Sequence, residues 1–532
     1  MHTDTAASTY KNELETYKQR YLQLETRNQE LERNILELKD YQHKYFELKE
    51  QYDLLVYKRF GRSAEQLLAD EKQPLLFTEE AAQPPECEEQ KPQELQKVTS
   101  FQRRKAGRKP LSASLQRRER IIDISEREKT CECGAKLSKI GEESREKLQI
   151  IPPEIYVDKA IRPKYACRGC EGTEEEGKPV VRIAPAEASI IAKGIASPSV
   201  LSTIITQKFE LHLPYYRQEK QFQTIGVTLS RQDMANWQQQ VYRKLTPVFK
   251  LLKETAKSGS ALQMDETSLQ VIGEEGRSDT QKSYMWVARG GPPGKKVIWY
   301  EYHPSRSASH AKEFLEGYRG YLQTDGFSGY DAAVKDNPGI IQVGCFAHAR
   351  RKFFDATKAG KNPQSAQTGM GFINKLYEIE RKLREQWEED KQTEKFLHQR
   401  KTAAEPELAK FRLWLEKRQA EVLDSSLLGK AIHYSLCQWE KLVAYLQNPY
   451  LTPDNNACEN AIRPFVIGRK NWLFSQSPEG AESSAGMFTL IETAKQNALV
   501  PYKYLKALFE KAPLAVSQED WINLLPWNIF YP

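Results

Sequence analysis

The sequence predicts a multidomain chain: an N-terminal coiled coil, a small cysteine-bearing module, a helical segment, and an α/β domain carrying a helical insertion. Three observations predict it. A chain of 532 residues is too long for one core, so three or more folded units are expected. The apolar pattern changes along the chain, from steps of three and four to strand-like alternation and back. Two stretches of strong charge bias, one acidic and one basic, interrupt it. Apolar content of 39% supports globular units, while a mean hydropathy of −0.69 implies much polar surface or linker. No run of eighteen apolar residues and no signal-like leader occurs, so a cytoplasmic protein without a membrane partner is expected.

Residues 10–57 contain neither Pro nor Gly. Leu14, Tyr17, Tyr21, Leu24, Asn28, Leu31, Ile35 and Leu38 form one seam. Tyr41, Tyr45, Leu48, Tyr52 and Leu55 form a second phase of it. A homo-oligomeric coiled coil is expected, with Asn28 fixing register. The alternative is a single amphipathic helix packed on its own chain. Residues 70–120 read as a disordered linker, acidic at first and then basic. The basic part, FQRRKAGRKPLSASLQRRER, holds eight Lys or Arg against one Glu. Arg103, Arg104, Lys105, Arg108 and Lys109 are candidate phosphate contacts, the G-R-K-P element lying along DNA. The bland alternative is a solvated tail.

Residues 121–190 carry Cys131, Cys133, Cys167 and Cys170. Four thiolates on two knuckles suit a structural zinc ion. C-R-G-C has the standard spacing, and C-E-C is one residue short, which leaves a weakened or absent metal as the alternative. Residues 195–250 read as helices with a turn at Gly226 and an N-cap at Ser230, a helix-turn-helix-like pattern or a plain helical hairpin. From 258 to 485 strands alternate with helices, interrupted by a helical insertion at about 365–450. Residues 486–532 are expected to be helical.

Asp265 and Asp325 stand at the ends of two predicted strands, and Glu459 stands in DNNACENAIRPFVIGRKNW. Carboxylates at neighbouring strand ends can share one site. Three like charges together need hard cations, Mg²⁺ or Mn²⁺. Two such ions support in-line displacement at a phosphodiester. Among 72 acidic residues such a choice is easy to make by accident. The alternatives are a turn residue at Asp325 and a surface residue paired with Arg463 at Glu459. Glu266, next to Asp265 on a strand, is expected on the opposite face.

The stretches MDETSLQV, GYLQTDGFSGYD, VGCFAHARRKF and DNNACENAIRPFVIGRKNWLFS resemble the landmarks of the insertion-sequence-66 family of DDE transposases, and the resemblance covers nearly the whole chain. It implies a ribonuclease-H-like catalytic domain in which Asp265, Asp325 and Glu459 are the catalytic, metal-binding acids. The same resemblance implies DNA contacts by Arg463, Arg469, Lys470 and Trp472. Further candidates for DNA contact are His348, with a structural histidine as its alternative, and the adjacent Arg350 and Arg351. The function implied is metal-dependent DNA cleavage and strand transfer at element ends, with small accessory proteins as further partners. The competing function is a catalytically silent DNA-binding regulator. A coiled-coil scaffold explains neither the basic stretch nor the knuckles.

Overall fold

A computed structural model describes residues 3–60, 155–166, 181–192, 194–335, 337–360, 363–387 and 391–531. The four knuckle cysteines, the basic run with Arg103, Arg104, Lys105, Arg108 and Lys109, and the linker at 70–120 lie outside the described residues. The chain divides into two compact units, residues 83–186 and the remainder.

Helix α1 (Thr3–Phe60) is one continuous 58-residue helix, about 87 Å long at 1.5 Å per residue. Its apolar seam is open: Tyr17, Leu24, Ile35, Leu38, Tyr45 and Leu48 are all exposed. Its C-terminal end packs on the rest of its unit. There Glu50 accepts from the Leu427 amide at 2.9 Å, Lys58 lies 3.8 Å from Asp355, and Tyr57 packs edge-on to Phe354. The helix on its own chain and the open seam are therefore both present, in different stretches. In the smaller unit, strands β1 (Lys164–Ala166) and β2 (Val181–Ile183) pair antiparallel.

Four helices precede the central sheet: α2 (Pro198–Phe209), α3 (Tyr215–Thr224), α4 (Arg231–Lys244) and α5 (Thr246–Lys257). Gly226 takes φ +81°, which favours glycine, and Ser230 caps α4 by accepting from the Asp233 amide at 3.1 Å. These helices do not stand apart. Met234, Trp237 and Val241 of α4 enter the main core, and Gln238 donates to Ser483 at 2.7 Å.

Five strands then form one mixed sheet: β3 (Ala261–Gln270), β4 (Lys282–Gly290), β5 (Val297–His303), β6 (Gly320–Gln323) and β7 (Ile340–Val343). The order is β5-β4-β3-β6-β7, with β3-β4-β5 an antiparallel meander and β6 and β7 parallel to β3. Alternation sorts the faces. Leu262, Met264, Trp286 and Ala288 pack under α6 (Ala308–Phe314) and α7 (Ser328–Val334). Leu269, Met285 and Val287 face the core completed by the C-terminal helices.

After β7 comes the helical block: α8 (Phe346–Ala359), α9 (Pro363–Glu385), α10 (Thr393–Gln419), α11 (Leu427–Cys437) and α12 (Trp439–Val443). It has its own core, built on Phe353, Phe411, Leu415 and Trp439. Inside it Arg400 is fully buried. Its guanidinium donates to Glu380 and to the carbonyls of Tyr445, Asn448, Pro449 and Leu451 at 2.8–3.4 Å. Arg384 donates to two of the same carbonyls. This clasp holds the segment that leads to α13 (Asn456–Trp472).

Helices α14 (Pro478–Gln496), α15 (Pro501–Lys511) and α16 (Gln518–Asn523) close the unit. Ser477 caps α14 and Pro478 occupies its first turn, so this helix runs unbroken through residue 485. It also covers the sheet edge. Thr489 and Thr493, one turn apart, accept from the β5 amides of Tyr300 and Ile298 at 2.9 and 3.1 Å.

Candidate acid site

The register of β3 and β6 pairs Leu262 with Leu322 and Gln263 with Gln323. Two residues further on each chain stand Asp265 and Asp325. Adjacent strands lie about 4.8 Å apart, so the two acids leave the sheet side by side. Below them Gln263 and Gln323 are buried and joined, the Gln263 amide donating to the Gln323 Oε1 at 2.7 Å. Arg289 donates to Gln263, and Gln323 donates to the Thr452 carbonyl at 2.8 Å. Both acids thus sit on an amide ladder that also reaches the segment ahead of α13. The signal was in the sequence: Leu-Gln-Met-Asp at 262–265 repeats as Leu-Gln-Thr-Asp at 322–325. Sequence reasoning did not use it.

Asp325 lies in the loop after β6, where its Oδ1 accepts from the Phe327 amide at 2.9 Å. Gly326 has φ +91° and turns the chain away from the acids, with the Tyr434 hydroxyl 3.1 Å from where a Cβ would stand.

Glu459 arrives from the third direction, in the first turn of α13. This helix is a 17-residue element with Pro464 inside it, longer than the short helix its polar start suggests. The asparagines place it. The Asn455 side-chain amide donates to the Met264 carbonyl at 3.0 Å, immediately before Asp265. The Asn455 backbone amide donates to the Cys345 sulfur at 3.2 Å. Asp454 accepts from both the backbone and the side chain of Asn456. Beneath, Cys458 is fully buried, its thiol 3.7 Å from the Val287 carbonyl. A small side chain is needed there because the helix lies on β4.

The three carboxylates feel one another. Burial pushes the Asp265 carboxyl well above its usual range, and the charges of Glu266, Glu459 and Asp325 push it further. Burial likewise raises Glu459 to about 7, with Asp454 and Asp325 adding and Arg351 opposing. Asp454 is raised to about 6, again by burial first. Glu266 points to the other face, as alternation requires. It pairs there with Arg306 and accepts from the Tyr330 hydroxyl at 2.5 Å.

His348, on α8, lies 3.9 Å from Glu459 through Nδ1. Burial and the charge of Arg351 lower it to about 4, so it is neutral near pH 7 and the contact is no ion pair. The facing atoms, His348 Nδ1 and Glu459 Oε1, are both buried without a hydrogen-bond partner. Cys345, His348 and Glu459 bring ligand atoms within 4.8 Å of one another. Cys345 is a neighbour that sequence reasoning left without a role.

The remaining basic candidates divide. Arg351 acts on Glu459 and His348. Arg350 holds Asn374 at 2.8 Å, and Arg469 donates to Ser268 at 3.2 Å. Lys470 is exposed and Arg463 half-buried on α13. Trp472, named above as a DNA contact, is half-buried at the end of α13. Its ring packs at the core edge against Phe209 and Phe488, with Lys208 5.7 Å above it, in space left by Gly468. A large apolar ring at the end of α13 gains more from that burial than from solvent. Among the described residues no helix is long and apolar enough to cross a membrane.

Comparison with known proteins gives the family. Residues 193–483 match the Transposase IS66 family, and residues 128–171, spanning all four knuckle cysteines, match the zinc-finger binding domain of transposase IS66. Residues 489–527 match the IS66 C-terminal element, and residues 47–120 match a domain described as Transposase C of IS166 homeodomain. Three uncharacterised proteins of Sinorhizobium fredii (strain NBRC 101917 / NGR234) are similar over most of their length. Protein y4jD is 32% identical over 432 residues, 79% of this chain and 81% of its own. Protein y4qI is 32% identical, covering 82% and 81%, and y4hP is 30% identical, covering 81% and 78%. DNA is therefore the partner, and a zinc-finger module is part of the chain. The chain belongs to the IS66 family of transposases.

Proposed function

We propose that this transposase cleaves and joins DNA at Asp265, Asp325 and Glu459, on a ribonuclease-H-like sheet. The sheet order supports the fold: a three-stranded antiparallel meander whose first strand is followed, on its other side, by two parallel strands. The observation that carries the function is the convergence of three carboxylates, from the middle of β3, the loop after β6 and the first turn of α13, each charge opposing another.

The donor set fits divalent cations. Three partly buried carboxylates repel, and Glu459 Oε1 has no hydrogen-bond partner. Hard oxygen ligands of this kind suit Mg²⁺ or Mn²⁺. Two such ions would activate the attacking hydroxyl and stabilise the leaving oxygen at the phosphodiester. The chain's own residues do the rest. The amide ladder Gln263–Gln323 holds the two aspartates in register. Asn455 fixes the start of α13, and with it Glu459, against β3. Neutral His348 offers one nitrogen beside Glu459. Arg351, with Arg463 and Lys470 on α13, supplies positive potential for the DNA backbone. The four cysteines hold one structural zinc, and the open seam of α1 pairs two copies so that two element ends are bridged, with accessory proteins of the same element as further partners.

The test is strand transfer by purified protein on a labelled duplex carrying the element's end, with Mg²⁺, beside Asp265→Asn and Glu459→Gln. Joined product from the wild type and none from either variant is expected. Duplex binding without product from the wild type, with accessory proteins supplied, would favour the regulator instead.

A further inference from the structure

We propose that Arg306 is a DNA-phosphate contact, pre-positioned at the rim of the acid site by Glu266 and Phe327. The inference rests on the acid site being where DNA is processed. Arg306 lies in the connection between β5 and α6, a segment that no sequence motif singled out. Its side chain is 40% exposed, yet it is held on two sides. Glu266, whose side chain is 1% exposed, engages the Nε and Nη2 edge of the guanidinium. The Phe327 ring lies 3.7 Å from the guanidinium carbon. Both anchors belong to the acid motifs. Glu266 follows Asp265 directly, and the Phe327 amide donates to Asp325. Asp325 is in turn within electrostatic reach of Arg306.

Stability alone does not account for this arrangement. An ion pair with one partner exposed contributes little, and a buried carboxylate loses its hydration. What the buried Glu266 achieves is a guanidinium fixed in place, engaged along its Nε and Nη2 edge while the side chain stays 40% exposed. A planar fork held in this way matches phosphate oxygens and loses little freedom on binding them. Phe327, whose ring carries Arg306, follows Asp325 by two residues and its amide donates to that acid, so a DNA strand crossing the site would set a neighbouring phosphate on Arg306.

Such a contact is independent of sequence, so any short labelled duplex serves as the probe. Its affinity is measured against NaCl concentration in Ca²⁺, an oxygen-seeking ion chosen to keep binding separate from strand joining. Arg306→Gln is expected to reduce the slope of log affinity against log salt by about 0.9, the value for one phosphate contact on duplex DNA. Arg306→Lys is expected to keep the slope, since its charge remains. Glu266→Gln/Arg306→Gln removes the buried charge together with its partner and keeps a hydrogen-bonding partner for Tyr330. It separates loss of contact from loss of folding and should show the same reduced slope with an unchanged melting temperature. A folded double variant with the wild-type slope overturns the proposal. The same preparations are assayed for strand transfer in Mg²⁺. An inactive wild type would count against the acid site as a catalytic centre, while the slope would still decide the role of Arg306.

Discussion

Replacing Glu459 with Gln should make the magnesium-free protein more stable, even though it removes the acid proposed for catalysis. Burial and its acidic neighbours hold Glu459 at about 7 against an ordinary value of 4.5. Its side chain is only 6% exposed, so solvent screens this little. At about 1.4 kcal/mol per pH unit, the shift is worth about 3 kcal/mol. The direction follows from which form the fold prefers. Below pH 4.5 the carboxyl is protonated folded and unfolded alike, and it has no effect. As pH rises from 4.5 through 7, the unfolded chain releases its proton first and the wild type loses stability. The helix N-terminus favours the carboxylate by about 0.3–1 kcal/mol, and Arg351 favours it too, but the raised value shows that burial and like charge win. Urea unfolding followed by tryptophan fluorescence at about pH 8 should therefore place Glu459→Gln above the wild type by up to about 3 kcal/mol, and at pH 4.5 the two should coincide. Mg²⁺ should then stabilise the wild type more than the variant. A variant no more stable than the wild type at pH 8, or equally more stable at both pH values, would refute the electrostatic account of the site.

Other outcomes are expected. Arg400→Met should lower stability by about 3–5 kcal/mol in the same unfolding assay, because it removes one partner of a buried ion pair and four carbonyl contacts. Gly468→Ala places a Cβ 2.2 Å from the Trp472 ring. The overlap, at about 1–3 kcal/mol, should outweigh the gain of about 1 kcal/mol in helix propensity and shift the tryptophan emission. Cys170→Ser should reduce bound zinc, measured by metal analysis, from one equivalent per chain towards none.

The strands from 261 to 323 and the helices after 486 were legible because their apolar periods are plain and glycine or proline separates them. Glu266 was rightly sent to the face away from Asp265, since a two-residue period leaves no choice. Three things were not legible. Trp472 follows a run of basic residues, and nothing local says that Phe209, some 260 residues earlier, forms its packing surface. The start of α14 is hard to read because Ser477-Pro478 is an N-cap signal in a glycine- and serine-rich stretch that otherwise reads as loop. The clasp around Arg400 depends on carbonyls from another segment, and carbonyls carry no sequence. The site shows the same division. Its acids could be named from motifs, whereas the Gln263–Gln323 ladder beneath them depends on strand register, which a single strand does not disclose.

The helical block between β7 and α13 also sets a timetable. Asp325 and Glu459 are separated by 134 residues (459 minus 325). At about 5–20 residues per second, roughly 7–27 s of synthesis pass between them. The two aspartates can be paired by their strands while the third acid is still unmade. On the proposed role of the three acids, a chain interrupted before Glu459 cannot cut DNA, and that ability is deferred until nearly the whole polypeptide exists.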